Sequence, residues 1–204
     1  MWTLLPLRWQ ILIVLGIGAA LAWSVDGALA LLAGRSLTVV QLISFTATLV
    51  GLMLTWFAEL SWRWLWRHFP TLQRKAFPDL NGQWEGTLRS TWIDPKTDQP
   101  IAPIPIAVAI HQGLFATSVR LRTNESRSYS TKVFLEPHHD ARRFRLCYTY
   151  CNDPDAAHQH RSAPHDGHAF LELDFDDDKD RLTGRYFTSR KTTGDLELRR
   201  ASVK

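Results

Sequence analysis

Trp9 to Leu32 and Leu37 to Leu60 are two almost unbroken apolar runs, separated only by Ala33-Gly34-Arg35-Ser36. Each is long enough to cross a bilayer as a helix, which takes about 20 apolar residues. So short a connection forces an antiparallel hairpin, with both chain ends on one side. The flanks say which side. Arg8 precedes the first run, and Arg63, Arg67, Arg74 and Lys75 follow the second, against Arg35 alone in the turn. An excess of Lys and Arg marks the cytoplasmic flank, so both termini are expected there. Trp62, Trp64 and Trp66 then read as an interfacial aromatic belt. Ala28-Leu29-Ala30 also imitates a signal-peptidase site, which leaves a cleaved leader plus one anchor as the competing reading. Asp26 and Glu59 lie near the span ends and read as interfacial, with Asp26 alternatively facing a neighbouring helix in an oligomer. Gly16 and Gly18 are candidates for close helix packing.

The hairpin divides the chain into an anchor over 1–68, a linker over 69–78 and a soluble domain over 79–204. Residues up to 76 hold six basic and two acidic side chains, and the rest hold 18 of each. The pI near 9.3 therefore belongs to the anchor. A neutral soluble part argues against a DNA or RNA polymer as partner. Cys147 and Cys151, on one extended strand, would stand about 13 Å apart at about 3.3 Å per residue. A disulfide does not span that distance, so two free thiols and a reducing compartment are expected unless the strand bends.

Beyond the linker, short alternating segments replace the apolar runs. Eight strands are predicted, at 83–92, 104–112, 114–123, 126–136, 142–152, 167–175, 181–190 and 194–200. Turn residues such as Asp94-Pro95, Asn124-Glu125, His138-His139-Asp140, Asp176 to Asp180 and Thr193-Gly194 separate them. The expected fold is thus membrane all-β: a two-helix transmembrane hairpin, then an eight-stranded antiparallel up-and-down β-barrel. Such a barrel is either filled by side chains or holds one small ligand.

Alternation assigns inward rows: Trp84, Gly86, Leu88, Ser90 and Trp92; Phe144, Leu146, Tyr148 and Tyr150; Leu182, Gly184, Tyr186, Thr188 and Arg190; Leu196 and Leu198. The faces of the third and fourth strands stay ambiguous. One rim then gathers Ser90, Trp92, Ser126, Ser128, Tyr148, Tyr150, Asn152, His165, Thr188 and Arg190, while the other, near Trp84 and Leu198, stays apolar. Aromatic faces stack on flat rings and hydroxyls read their edges. The Arg190 fork suits a phosphate. Taken singly, the tyrosines also fit a core, and Arg190 also fits a strand end turned to solvent.

His158, His160, His165 and His168 with Asp153, Asp155 and Asp166 have metal-ligand chemistry, but no tight spacing such as H-E-x-x-H accompanies them. The acidic tip Asp174 to Asp180 lacks a calcium-loop pattern. Without a Walker, Rossmann or nucleophile-elbow motif, the chain is expected to be no enzyme, with no catalytic residue, cofactor or metal.

The whole chain resembles the membrane effectors of bacterial CBASS antiphage systems, of the two-transmembrane plus β-barrel (S-2TMβ, CD-NTase-associated) type. The resemblance rests on the two spans and on Phe77-Pro78-Asp79-Leu80-Asn81-Gly82-Gln83-Trp84-Glu85-Gly86. It also rests on Ser126, Ser128 and Ser130, on Tyr148-Thr149-Tyr150 with Asn152 and Pro154, on His165 with Gly167, and on Gly184 to Arg190 leading to Thr193-Gly194. It implies a cyclic dinucleotide ligand made by a CD-NTase, homo-oligomerisation in the bacterial inner membrane, loss of membrane integrity and abortive infection. A lipocalin-like carrier of an apolar ligand and a membrane-anchored protein-interaction module compete with that reading.

Overall fold

The computed structural model describes residues 6–34, 37–57, 62–94, 97–138, 143–160 and 162–201. Arg35, Ser36, Glu59, Pro95, His139 and Asp140, used above, lie outside them. The chain divides into two units, Met1–His68 and Phe69–Lys204.

In the first unit, α1 (Leu7–Ala33) and α2 (Val39–Trp56) are long and apolar enough to cross a membrane. At about 1.5 Å per residue they reach roughly 40 and 27 Å, against a hydrocarbon core of about 30 Å. Local chemistry sets their ends. Gly34 takes the left-handed conformation (φ 62°) and donates to the Ala30 carbonyl, closing α1. Thr38 and Gln41 cap α2 reciprocally, so it starts at Val39, two residues later than expected. Apolar side chains are exposed on both helices, Trp23 and Leu31 at 83% and 88%, as a bilayer solvent requires and water does not favour. Gly18 faces Val50 across the pair, whereas Gly16 has open space around it. A short α3 (Trp62–His68) carries the tryptophan cluster, with Trp62 and Trp66 edge to face at 5.8 Å.

In the second unit, the stretch expected as linker holds a helical turn, α4 (Pro70–Lys75), begun by a proline whose missing N–H costs nothing at that position. Then come β1 (Gly82–Ser90), β2 (Ile93–Asp94), β3 (Gln99–Pro100), β4 (Ile104–Gln112), β5 (Thr117–Arg122), β6 (Ser126–His138), β7 (Arg143–Pro154), β8 (His165–Asp174), β9 (Arg181–Thr188) and β10 (Thr193–Arg200). Eight close into a barrel in the order β1-β10-β9-β8-β7-β6-β5-β4, all antiparallel. The pair β2–β3 is a separate ribbon in the β1–β4 connection. It is not among the eight strands read in the sequence, being too short to alternate visibly; the eight barrel strands match those read apart from their ends, with β1 stopping at Ser90 rather than 92 and β9 at Thr188 rather than 190.

The inward rows fill the lower barrel. Trp84, Val108, Ile110, Val119, Phe144, Leu146, Tyr148, Leu171, Leu182 and Leu198 are buried. Outside, Arg143 faces Asp174, Arg145 faces Glu172 and Arg185 faces Asp195 across adjacent strands, and each makes an ion pair. Exposed pairs contribute little energy, but they favour this register over a one-residue slip. They also account for the neutral balance of the domain.

The end where β1 begins is not simply apolar, as expected, but sealed through a buried amide. Phe77 and Leu80 plug it. Gln112 Oε1 accepts from the Leu80 N–H at 2.6 Å, and its Nε2 donates to the Pro78 carbonyl at 2.8 Å. Asn81 returns two bonds to the Gln112 backbone. Trp84 Nε1 donates to the Leu80 carbonyl at 3.0 Å. The Arg200 guanidinium lies 4.3 Å over the Trp84 ring and donates to the Asn81 and Asp79 carbonyls. Gln112→Leu keeps the volume but strands two buried backbone groups, each at about 1–3 kcal/mol. A denaturant midpoint lowered with an unchanged slope is the expected result.

Candidate functional site

The opposite end is where β1, β5, β7 and β9 finish and β4, β6, β8 and β10 begin. Strand register there assembles three short inward rows. Ser128, Asn152 and His165 lie side by side across β6, β7 and β8. Tyr150, Gly167 and Thr188 do so across β7, β8 and β9. Ser90, Gly194 and Tyr186 complete the ring across β1, β10 and β9. Ser126, opposite Pro154, tops β6. Seven of the ten expected residues therefore meet around one rim: Ser90, Ser126, Ser128, Tyr150, Asn152, His165 and Thr188; Tyr148 lies below them, fully buried in the core.

The other two stand apart from the rows. Arg190 lies beyond β9 in the turn to β10 and is exposed rather than buried in the lumen. Its Nη1 donates to Ser162 Oγ at 3.0 Å, and its charge acts on the Tyr186 hydroxyl. It thus stands at the mouth, tied to the β7–β8 loop. Trp92 lies two residues past β1, where alternation no longer sets its side, and is 40% exposed.

The lumen below the rim is occupied, so the site is a shallow cup with a tyrosine floor. Tyr148 and Tyr150 have ring centroids 6.0 Å apart. Burial drives the Tyr148 hydroxyl far above its ordinary range and pushes Tyr150 up to about 12. Burial likewise raises Tyr186, partly offset by its hydrogen bond to Ser90 and by Arg190. All three stay protonated near neutrality and present hydroxyls that donate as well as accept.

Two glycines give the rings their places. A Cβ at Gly167 would overlap the Tyr150 ring and hydroxyl, and a Cβ at Gly194 would overlap the Arg89 carbonyl and the Tyr186 ring. Each tyrosine ring therefore reaches into the space that a side chain at the facing glycine would occupy. Tyr186 was legible as a member of an inward row, but not as a rim residue. The glycine opposite each tyrosine was the available signal, because an inward glycine in a strand often marks a close approach.

Outside the cup, Cys147 and Cys151 are free. Burial first, then Glu136, pushes Cys147 up to about 11. Burial first, then Asp166, raises Cys151. Neither is an activated thiolate. Among the described residues no three His, Cys, Asp or Glu side chains come together as a metal site.

Residues 75–200 match the family described as "Cap15, cyclic dinucleotide receptor domain". The chain is also 26% identical over 161 residues to CD-NTase-associated protein 15 of Staphylococcus schleiferi, covering 79% of this chain and 80% of that protein. The family match spans the barrel and its rim. The chain belongs to the Cap15 cyclic dinucleotide receptor family, the CBASS membrane effectors that its sequence resembles.

Proposed function

We propose that the rim holds a cyclic dinucleotide, and that occupancy drives the membrane-anchored chains to oligomerise and breach the bacterial inner membrane, ending in abortive infection. The observation that carries the binding step is the composition of the cup. Flat aromatic faces at Tyr150 and Tyr186 suit bases, and Ser90, Ser128, Asn152 and Thr188 suit their edges and sugars. Arg190, at the mouth, suits a phosphate. The chain acts as a receptor and not as an enzyme, with no cofactor beyond the nucleotide that a CD-NTase supplies. The basic flanks favour both termini in the cytoplasm, where such a messenger is made. A carrier of an apolar ligand needs a greasy lumen, and here that volume is filled by Trp84, Phe144, Leu146 and Leu171.

Calorimetry of residues 69–204 against cyclic di-AMP, cyclic di-GMP and cyclic GMP-AMP tests the binding step. Saturable micromolar or tighter binding of at least one is expected. The same fragment should bind as tightly as the full chain yet fail to permeabilise inner-membrane vesicles. Heat-silent titrations with all three would remove the receptor reading. Leakage caused by the fragment alone would remove the membrane step.

A further inference from the structure

Two features at the rim end complement each other, one apart from the cup and one sharing part of its wall. The first is a knob. The β2–β3 ribbon leaves the barrel after β1, and Trp92, just before it, and Ile93, its first residue, are 40% and 52% exposed. The second is a groove of about 500 Å³ on the outside of the wall, over the ends of β7, β8 and β9. Its sides are Thr131, Thr149, Asp166, His168, Phe187 and Ser189, and it shares Tyr150, Gly167 and Thr188 with the rim. Phe187 is 44% exposed there, and the Thr131 and Thr149 hydroxyls meet at 2.7 Å, satisfying one another and leaving the surface largely apolar. Thr131 is the extra residue of a bulge between Ser130 and Lys132, which bends β6.

Their placement on the barrel selects the occupant. Around the closed sheet, β8 is three steps from β1 one way and four steps from β4 the other. Knob and groove are therefore almost diametrically opposed, at the same end of the barrel. A knob from one copy entering the groove of the next relates the two copies by little more than a translation. That operation keeps every barrel in the same orientation, an arrangement that many copies sharing one bilayer can adopt together. A two-fold contact through either patch alone would leave the other patch of each copy unused.

We infer that copies of this chain meet head to tail through their barrels, the Trp92–Ile93 knob of one seated in the Phe187 groove of the next. The contact is heterologous and does not close on itself after two copies, so it builds an open chain or a large ring. One knob covers less than the roughly 800 Å² per partner of a stable interface, so the contact is weak in solution. Confinement to a common membrane raises the effective concentration and makes it count. The inference supplies a surface for the oligomerisation proposed above. It does not depend on which nucleotide binds, because Gly167 forms part of both the groove and the cup and any occupant of the rim acts on the same wall.

The test uses the full chain with Cys151→Ser, so that no native exposed thiol remains, in lipid vesicles with a short bis-maleimide cross-linker. Reactions are run without nucleotide and with cyclic di-AMP, cyclic di-GMP or cyclic GMP-AMP. Ile93→Cys combined with Phe187→Cys should give a ladder reaching trimers and beyond in at least one condition. An equal mixture of the two single variants should stop at dimers. Adding Trp92→Asp to the chain carrying Ile93→Cys should reduce cross-linking to the Phe187→Cys chain at least ten-fold, whereas adding it to the Phe187→Cys chain, whose own knob takes no part in that contact, should leave it unchanged. Three results would each overturn the inference: no species above monomer in any condition, dimers from Ile93→Cys alone, or an equal ladder from a control pair of Arg120→Cys with Phe187→Cys. Failure of nucleotide binding shows separately in the calorimetry and leaves the cross-linking result readable.

Discussion

Trp84→Ala should remove much of the barrel's margin of stability, lowering it by about 3–5 kcal/mol, the range for deleting a large buried aromatic. Trp84 is fully buried at the sealed end, and several elements depend on it at once. Its ring supports the Arg200 guanidinium, and its indole N–H satisfies the Leu80 carbonyl. Removing it opens a cavity, deprives Arg200 of its stacking surface and orphans a backbone acceptor. Since a small domain is stable by only about 5–15 kcal/mol, the variant should sit close to its threshold at physiological temperature. Thermal and urea unfolding of residues 69–204 measure this. A change under about 1 kcal/mol would mean that the seal at this end is not what holds the barrel shut.

Arg190→Ala should weaken cyclic dinucleotide binding by about 10- to 100-fold, the worth of a charge-assisted hydrogen bond at about 1.5–3 kcal/mol. The barrel itself should melt unchanged, because Arg190 is exposed and, among the described residues, its hydrogen bond is to the loop residue Ser162 rather than to a barrel strand. Arg190→Lys should recover part of the affinity through charge but not the two-pronged geometry. Ser162→Ala separates two roles for the same side chain. If Ser162 orients the guanidinium, affinity falls a few-fold. If Ser162 merely parks it, affinity holds or rises. Unaltered binding in Arg190→Ala would take the phosphate contact away from this residue.

The division of the chain is plain in its amino-acid sequence. Two long apolar runs are each long enough to cross a bilayer, and period-two alternation over Phe144 to Tyr150 marks a half-buried strand. The rim set is legible for the same reason: parity carries Ser90, Tyr150, Asn152 and Thr188 to one side once Trp84, Leu146 and Leu182 are placed in the core. Where parity is interrupted, legibility stops. The ambiguity in β6 has a physical cause in the bulge. Ser126, Ser128 and Ser130 face inward above it and Val133 and Leu135 below it, so no single alternation describes the strand. Arg190 and Trp92 lie past strand ends, where loop geometry rather than periodicity sets direction. Gln112 is invisible as a closure, because its partners at Pro78 and Leu80 lie more than 30 residues away in the chain.

Among the described residues, the base of the barrel is stopped by Phe77, Leu80 and the Gln112 amide. Whatever settles among the tyrosines must come and go by the route that the β7–β8 loop overlooks, where Arg190 grips Ser162. Because the same guanidinium is the proposed phosphate contact, the tether bears on both rate and affinity: breaking it should quicken exchange at the mouth and shift the equilibrium in the direction that the Ser162→Ala titration reads.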